Sequence, residues 1–315
     1  MVDIRHYRNL NPVVAQRRRK LLLEFAAFVS LTLYVNLEVF LEADPAVIDR
    51  TLSAYGQCLF AAGRSLLDYS EMINAVVDQR RSLRGHLSGA WDAAWSWKAL
   101  QPGGNRAAMP ELVFLAMLAV ALMWNMDHLA LLLGPGFLGL LRPFEIRNFK
   151  FSDFQTPSRL LSSVPCLYIT IAMPKMRRVT ARRSYTRIDE PGFVDFADAI
   201  VGAASGPDLI FTGGYAIFRR LFETLCAELG LPRGGPHHLS WGSLRPGGAT
   251  WLLRRYDDPE LVRFRGRWTS ARMLEIYVQE VGALTIMPLL GDDVRQRIQD
   301  LAAAVPGPLA LAASR

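Results

Sequence analysis

Residues 244–280 read LRPGGATWLLRRYDDPELVRFRGRWTSARMLEIYVQE, and three side chains in this stretch are spaced in a way that organises the whole chain. Trp268 follows Arg245 by 23 residues, and Tyr277 follows it by 32. The residue types suit an anion. An arginine fork binds phosphate or carboxylate oxygens bidentately and stays protonated. Indole donates and cannot accept, so it stabilises negative charge without moving protons. Upstream, residues 136–154 read GFLGLLRPFEIRNFKFSDF and place Glu145 three positions after Arg142. On a helix that spacing is one turn, which makes Glu145 an ion-pair partner that orients Arg142.

The remaining composition is compatible with an anionic macromolecular partner. The 315 residues carry 36 Lys and Arg against 29 Asp and Glu, a formal charge of +7, and the pI is about 9.6. Basic chains gain affinity for polyanions by displacing counterions condensed on phosphates. A hydrophobic share of 51% with 21% charged residues excludes wholesale disorder. Cys58, Cys166 and Cys226 are far apart and lack metal-ligand spacing, so neither a disulfide framework nor a zinc site is expected, and the compartment is reducing. The opening segment MVDIRHYRNLNPVVAQRRRK has no apolar run of signal-peptide type, which argues against secretion. LVFLAMLAVALMW, residues 112–124, is apolar but falls short of the about 20 residues that a membrane span requires. It reads as a buried core helix, and no membrane partner is expected.

Apolar residues recur at three- and four-residue intervals from Pro12 to about Leu100, which predicts a helical domain over residues 1–104. Its first helix carries Arg17, Arg18, Arg19 and Lys20, a run that either forms a solvated face or meets phosphates. Trp91 and Trp95 are four apart and are expected to share the core face of a helix that also holds Trp97. QPGGNRAAMP, residues 101–110, reads as a linker. The second domain, 105–304, is mostly helical, except that CLYITIAMPKMRRVTARRSYTRIDE, residues 166–190, alternates on both sides of a basic middle and predicts a hairpin or small antiparallel sheet. Residues 305–315 read as a loose tail. The fold class is therefore mainly α with a small antiparallel β-sheet.

The Arg–Trp–Tyr offsets and the Arg142–Glu145 helix start resemble those of the tyrosine recombinase, or phage integrase, family, most strongly from about Leu131 to Val281. The S-L-R-P-G-G-A-T wording is also similar to recombinase-like genes of dinoflagellate genomes and to tyrosine-recombinase mobile elements. The resemblance implies a two-domain clamp on double-stranded DNA, with a helical core-binding domain and an α+β catalytic domain. It implies that Tyr277 attacks a DNA phosphodiester to give a 3′-phosphotyrosine, that Arg142 and Arg245 hold the phosphate, and that Trp268 donates to it, with no metal or cofactor. A phenol, with an ordinary pKa of about 10, gives an ester close enough in energy to a phosphodiester for resealing without ATP. Lys175 in PKMRR sits where the family places the lysine that protonates the leaving oxygen. Arg177, Arg178, Arg182 and Arg183 crowd the same segment as DNA-binding candidates, and like charge there lowers an ammonium pKa toward neutrality.

One position departs from the pattern. Three residues before Arg245 the family usually has histidine, and this chain has Gly242, which can neither transfer a proton nor hydrogen-bond through a side chain. His237 and His238 lie a few residues earlier. Turnover is therefore the open question, and two other readings compete with a recombinase: a catalytically impaired DNA-binding relic of a mobile element, and a type IB topoisomerase-like relaxing enzyme. Strand exchange would require a homo-tetramer on DNA, assembled through the helix expected near Ile286 to Leu301. The compartment would be the nucleus in a eukaryote and the cytoplasm otherwise.

Overall fold

The computed structural model describes residues 10, 12–102, 107–172, 184–204, 208–277 and 280–314; the side chains at 273, 276, 277, 280, 281 and 283 lie outside the description. Two compact units divide the chain, Met1–Gly103 and Gly104–Arg315.

The first unit is helical among its described residues: α1 Pro12–Leu33, α2 Leu37–Leu41, α3 Pro45–Ala61, α4 Leu66–Gln79 and α5 Ser88–Leu100. Asn36, Asp44 and Ser65 accept the first free amides of α2, α3 and α4, so each start is fixed by a side-chain cap. Helix α5 has no such cap of its own. Asp49 of α3 supplies one from a distance, its two oxygens accepting the Gly89 and Ala90 amides at 2.8 Å each. Helix α1 packs on α4, and α3 on α5, around Phe25, Val29, Ile48, Leu52, Tyr69 and Trp97.

One expectation changes here, and a second gains detail. Trp95 is 64% exposed, with the Lys98 ammonium over its ring; the core face of α5 is Ala90, Ala94 and Trp97, with Trp91 only partly buried beside it. Trp97 wins because it stacks on Tyr69 and edges Phe60. In the basic run, Arg17 is paired with Asp68 at 2.7 Å, and Arg18 with Glu71 and Asp78 at 2.6 and 2.7 Å. Arg19 and Lys20 are exposed, Lys20 lying 3.9 Å from Glu24.

In the second unit, helix α6, Glu111–Met123, is buried nearly all round, as its apolar sequence predicts. No helix among the described residues is long and apolar enough to cross a membrane. Around α6 pack α7 (Asp127–Phe137), α11 (Tyr215–Glu228), α12 (Trp241–Tyr256) and α16 (Asp292–Ala304). The short α8 (Pro143–Arg147) and α9 (Pro157–Leu160) flank a three-stranded antiparallel sheet of β1 Phe154–Gln155, β2 Leu167–Ile171 and β3 Ser184–Ile188. Leu167 pairs with Ile188 and Ile171 with Ser184, so β2 and β3 are the arms of the expected hairpin. Helices α10 (Pro191–Ala203), α13 (Pro259–Gly266), α14 (Ala271–Tyr277) and α15 (Glu280–Thr285) complete the path toward α16.

The C-terminal segment read as a tail is a helix instead, α17, Pro306–Ala313, docked on α10 and α6 with Leu309 and Ala312 buried. Its Pro-Gly opening looked like loop sequence, but a proline in the first turn of a helix loses no hydrogen bond. The helix expected to join protomers is α16, and it spends Ile298 and Ala302 on the core of its own chain, against α6.

Candidate active site

The site begins at the corner between α7 and α8. Leu140 takes a left-handed conformation, φ +52°, which turns the chain so that Arg142 caps α8 in extended geometry ahead of Pro143. Glu145 then folds back: one oxygen accepts the Arg142 backbone amide at 2.9 Å, the other the Arg142 guanidinium at 3.0 Å. Only 6% of Glu145 is exposed. The expected Arg142–Glu145 pair therefore exists and also caps the start of the helix.

The second motif arrives on α12, whose residues from Trp241 to Thr250 are buried. Its glycines are there for contact. A Cβ at 247 would stand 2.3 Å from the Met109 carbonyl, and one at 248 would stand 1.9 Å from the Phe137 carbonyl. Arg245 is 2% exposed; its Nη2 donates to the Gly266 carbonyl at 2.6 Å, and its guanidinium carbon lies 4.8 Å above the Trp268 ring. Gly266 must be glycine because a Cβ would overlap that ring at 1.9 Å. The Trp268 backbone is clasped on both sides by Arg263, whose carbonyl accepts its amide at 3.0 Å and whose Nη1 donates to its carbonyl at 3.1 Å.

Arg267 joins the halves, and nothing in the sequence reading singled it out. It caps α13 at φ +56°. Its Nη2 donates to Glu145 at 3.2 Å and to the Leu140 carbonyl at 3.4 Å. Burial pushes its pKa down to about 10; Glu145 opposes that shift and Arg142 adds to it. Trp268 packs with Leu140, Ala249, Leu252, Val262 and Leu274 in one small cluster. Through Leu274, α14 is seated on the same group that holds Arg245 and Trp268.

Tyr277 is the last residue of α14, and its side chain lies outside the description. Lys175, Arg177, Arg178, Arg182 and Arg183 also lie outside the described residues. The strand that follows them is tied to the site: Thr186 donates to the Gly139 carbonyl at 2.8 Å, and Arg265 donates to the Arg187 carbonyl at 2.9 Å and to Asp189 at 2.5 Å. Gly242 is buried in the first turn of α12. His237 and His238 are partly buried in the turn before it. No group of three or more His, Cys, Asp or Glu among the described residues could hold a metal ion.

Compared with known proteins, the chain matches no family model and no curated protein. Solved structures do match. The XerH site-specific recombinase bound to difH substrate in a pre-cleavage complex is 16% identical with a TM-score of 0.50, over 84% of this chain and 76% of that one. Its post-cleavage complex with palindromic difH is 16% identical with a TM-score of 0.52, over 90% and 76%. XerA recombinase is 15% identical with a TM-score of 0.43, over 93% of each chain. The fold is that of the tyrosine recombinases.

Proposed function

We propose that this chain is a DNA strand-exchange enzyme of the tyrosine recombinase type. The observation that carries the proposal is the convergence of two motifs about a hundred residues apart in sequence into one bonded network: Arg142 and Arg267 on Glu145, Gly266 on Arg245, Arg245 over Trp268. The helix that ends in Tyr277 is built onto that network through Leu274. A cluster so rich in guanidinium suits a phosphodiester, because fixed donors stabilise the charge that grows on its non-bridging oxygens.

In the proposed reaction the Tyr277 phenol oxygen bonds to phosphorus as the bond to the 5′-oxygen breaks. The phenol proton leaves to water, and Lys175 protonates the departing 5′-oxygen. The product is a 3′-phosphotyrosine, and attack by another 5′-hydroxyl reverses the step on a new partner. XerH is described as bound to its difH substrate; double-stranded DNA is the partner we assign here. Since Arg17 and Arg18 already face carboxylates, the phosphate contacts of the first helix would fall to Arg19 and Lys20. A homo-tetramer on DNA is the assembly that exchange between two cut duplexes requires.

The test is covalent capture. The full chain is incubated with a library of nicked duplexes of random core sequence, denatured in SDS and analysed for DNA-linked peptide. Wild type should yield an adduct on residue 277, and Tyr277→Phe none. Gly242 favours a second reading, a DNA-binding relic that keeps the fold without turnover. DNA binding with no adduct under any condition would support that relic.

A further inference from the structure

We infer that Arg267 is a further phosphate-binding residue, a third guanidinium of the pocket that places its Nη1 on the bound anion while its Nη2 stays on Glu145. The inference rests on the reading of this pocket as a phosphate site. Its ground is the distribution of donors around a single carboxylate. Both oxygens of Glu145 are in use: Oε1 accepts from the Arg142 guanidinium, and Oε2 accepts from the Arg142 amide and from Arg267. Arg142 and Arg267 thus share one acidic side chain, and Arg245 is bonded to the residue just before Arg267. The Nη1 of Arg267 is buried with no hydrogen-bond partner there, and its side chain is 16% exposed. A buried guanidinium donor with no acceptor is costly, and an anion oxygen removes that cost.

The backbone points the same way. Arg267 is held at φ +56°, a conformation in which glycine is the comfortable residue and an arginine is strained. Strain kept at such a position is a reason to look for function in the side chain. The location is suitable too. Arg267 lies between Gly266, whose carbonyl holds Arg245, and Trp268, on which Arg245 stacks. One residue therefore bonds the Arg142 half of the pocket while its neighbours bond the Arg245 half. An anion drawn to Nη1 would be held between the two.

The experiment uses the full chain and Arg267→Gly, a substitution that suits the left-handed backbone and so preserves folding, with Arg267→Lys as a second variant that keeps the charge. Unfolding midpoints are recorded in inorganic phosphate and in chloride at equal ionic strength. Phosphate stabilises any folded chain over chloride by exclusion from its surface, so the readout is the excess: wild type should gain more from phosphate than Arg267→Gly does, and Arg267→Lys should recover part of the difference. An equal gain from phosphate in wild type and Arg267→Gly would overturn the inference. In the nicked-substrate assay, Arg267→Gly should slow adduct formation about a hundredfold on an ordinary phosphodiester. On a methylphosphonate, which lacks one charged oxygen, the penalty should shrink for one diastereomer. An equal penalty on phosphodiester and on both methylphosphonates would show that Arg267 acts only by positioning Glu145, and would overturn the direct contact. Should wild type form no adduct, the reaction assigned above falls, while the phosphate arm still decides the role of Arg267.

Discussion

Replacing Gly248 by alanine tests whether the close approach of α12 to α7 sets the geometry of the site. The added Cβ would lie 1.9 Å from the Phe137 carbonyl oxygen and 2.8 Å from Leu140 Cδ2. A relaxed carbon–oxygen contact is about 3.3 Å or more, so the two helices must part by roughly 1.4 Å. Two effects oppose each other. Alanine in a helix interior is favoured over glycine by about 0.5–1 kcal/mol, whereas forcing a methyl into a packed interface costs about 1–3 kcal/mol, and more where the neighbour is backbone. The second should win, for a net loss of about 2 kcal/mol, which for a domain of this size lowers the unfolding midpoint by about 4–8 °C. Gly202→Ala is the control, because that glycine is in α10 with open space around its missing Cβ; it should gain up to about 1 kcal/mol. Urea and thermal unfolding of the full chain measure both. Since α12 carries Arg245 and α7 leads to Arg142, the same displacement should slow adduct formation about a hundredfold. If Gly248→Ala is as stable as wild type, or gains as the control does, the packing account of the R-P-G-G motif is wrong.

Three further outcomes follow from the structure. Asp49→Ala removes both acceptors that cap α5 and should cost about 1–2 kcal/mol in urea unfolding, with Asp49→Asn recovering part; no loss would mean that water caps α5 as well as Asp49 does. For Asp68, burial favours the neutral acid, but hydrogen bonds from Arg17 and Ser65 and the charges of Arg17 and Arg64 outweigh it, so its pKa lies below the ordinary 3.8. That stabilisation is complete above the ordinary value and is lost as pH falls through the lower, folded one. Asp68→Asn should therefore flatten the acid-side fall in unfolding midpoint, and parallel curves for the two proteins would contradict this. Cys58 is exposed, whereas Cys166 and Cys226 are buried and burial pushes the Cys226 thiol up to about 12; a maleimide near neutral pH should label one thiol quickly, and Cys58→Ser should abolish that label.

The elements that the sequence discloses are those governed by local pattern. Helix α6 is legible because the 12 residues that follow Glu111 in it carry no charge and leave no polar face to expose. The hairpin arms are legible because residues 167–171 alternate in and out of the core. What escapes the sequence is long-range. Arg267 finds Glu145 across 122 positions, and its importance follows from that contact alone, since arginine in R-G-R-W otherwise looks like one more surface charge. Asp49 caps a helix 40 positions away. Trp95 was misplaced because four-residue spacing identifies a face without saying which face is buried; Trp97, three residues after Ala94, lies on the stripe that meets Tyr69. The fate of Arg17 and Arg18 likewise depended on which face α4 would present, and it presents Asp68, Glu71 and Asp78.

The chemistry of the pocket separates two tasks that are often discussed as one. Holding a phosphate requires fixed donors, and Arg245 is fixed to an unusual degree: it is buried in α12, one nitrogen is set on a carbonyl, and its plane lies over an indole. The entropy of arranging it is lost when the protein folds, so little remains to be lost when an anion binds. Moving a proton requires a group that can both give and accept one; Gly242 has no side chain to do so, and the Trp268 indole can only donate. The bonds of the cationic network run from Arg142 through Glu145 to Arg267 and from Gly266 to Arg245, without a link through Gly242. On the reading proposed above, Gly242 supplies no proton carrier, and the guanidinium network does not depend on it.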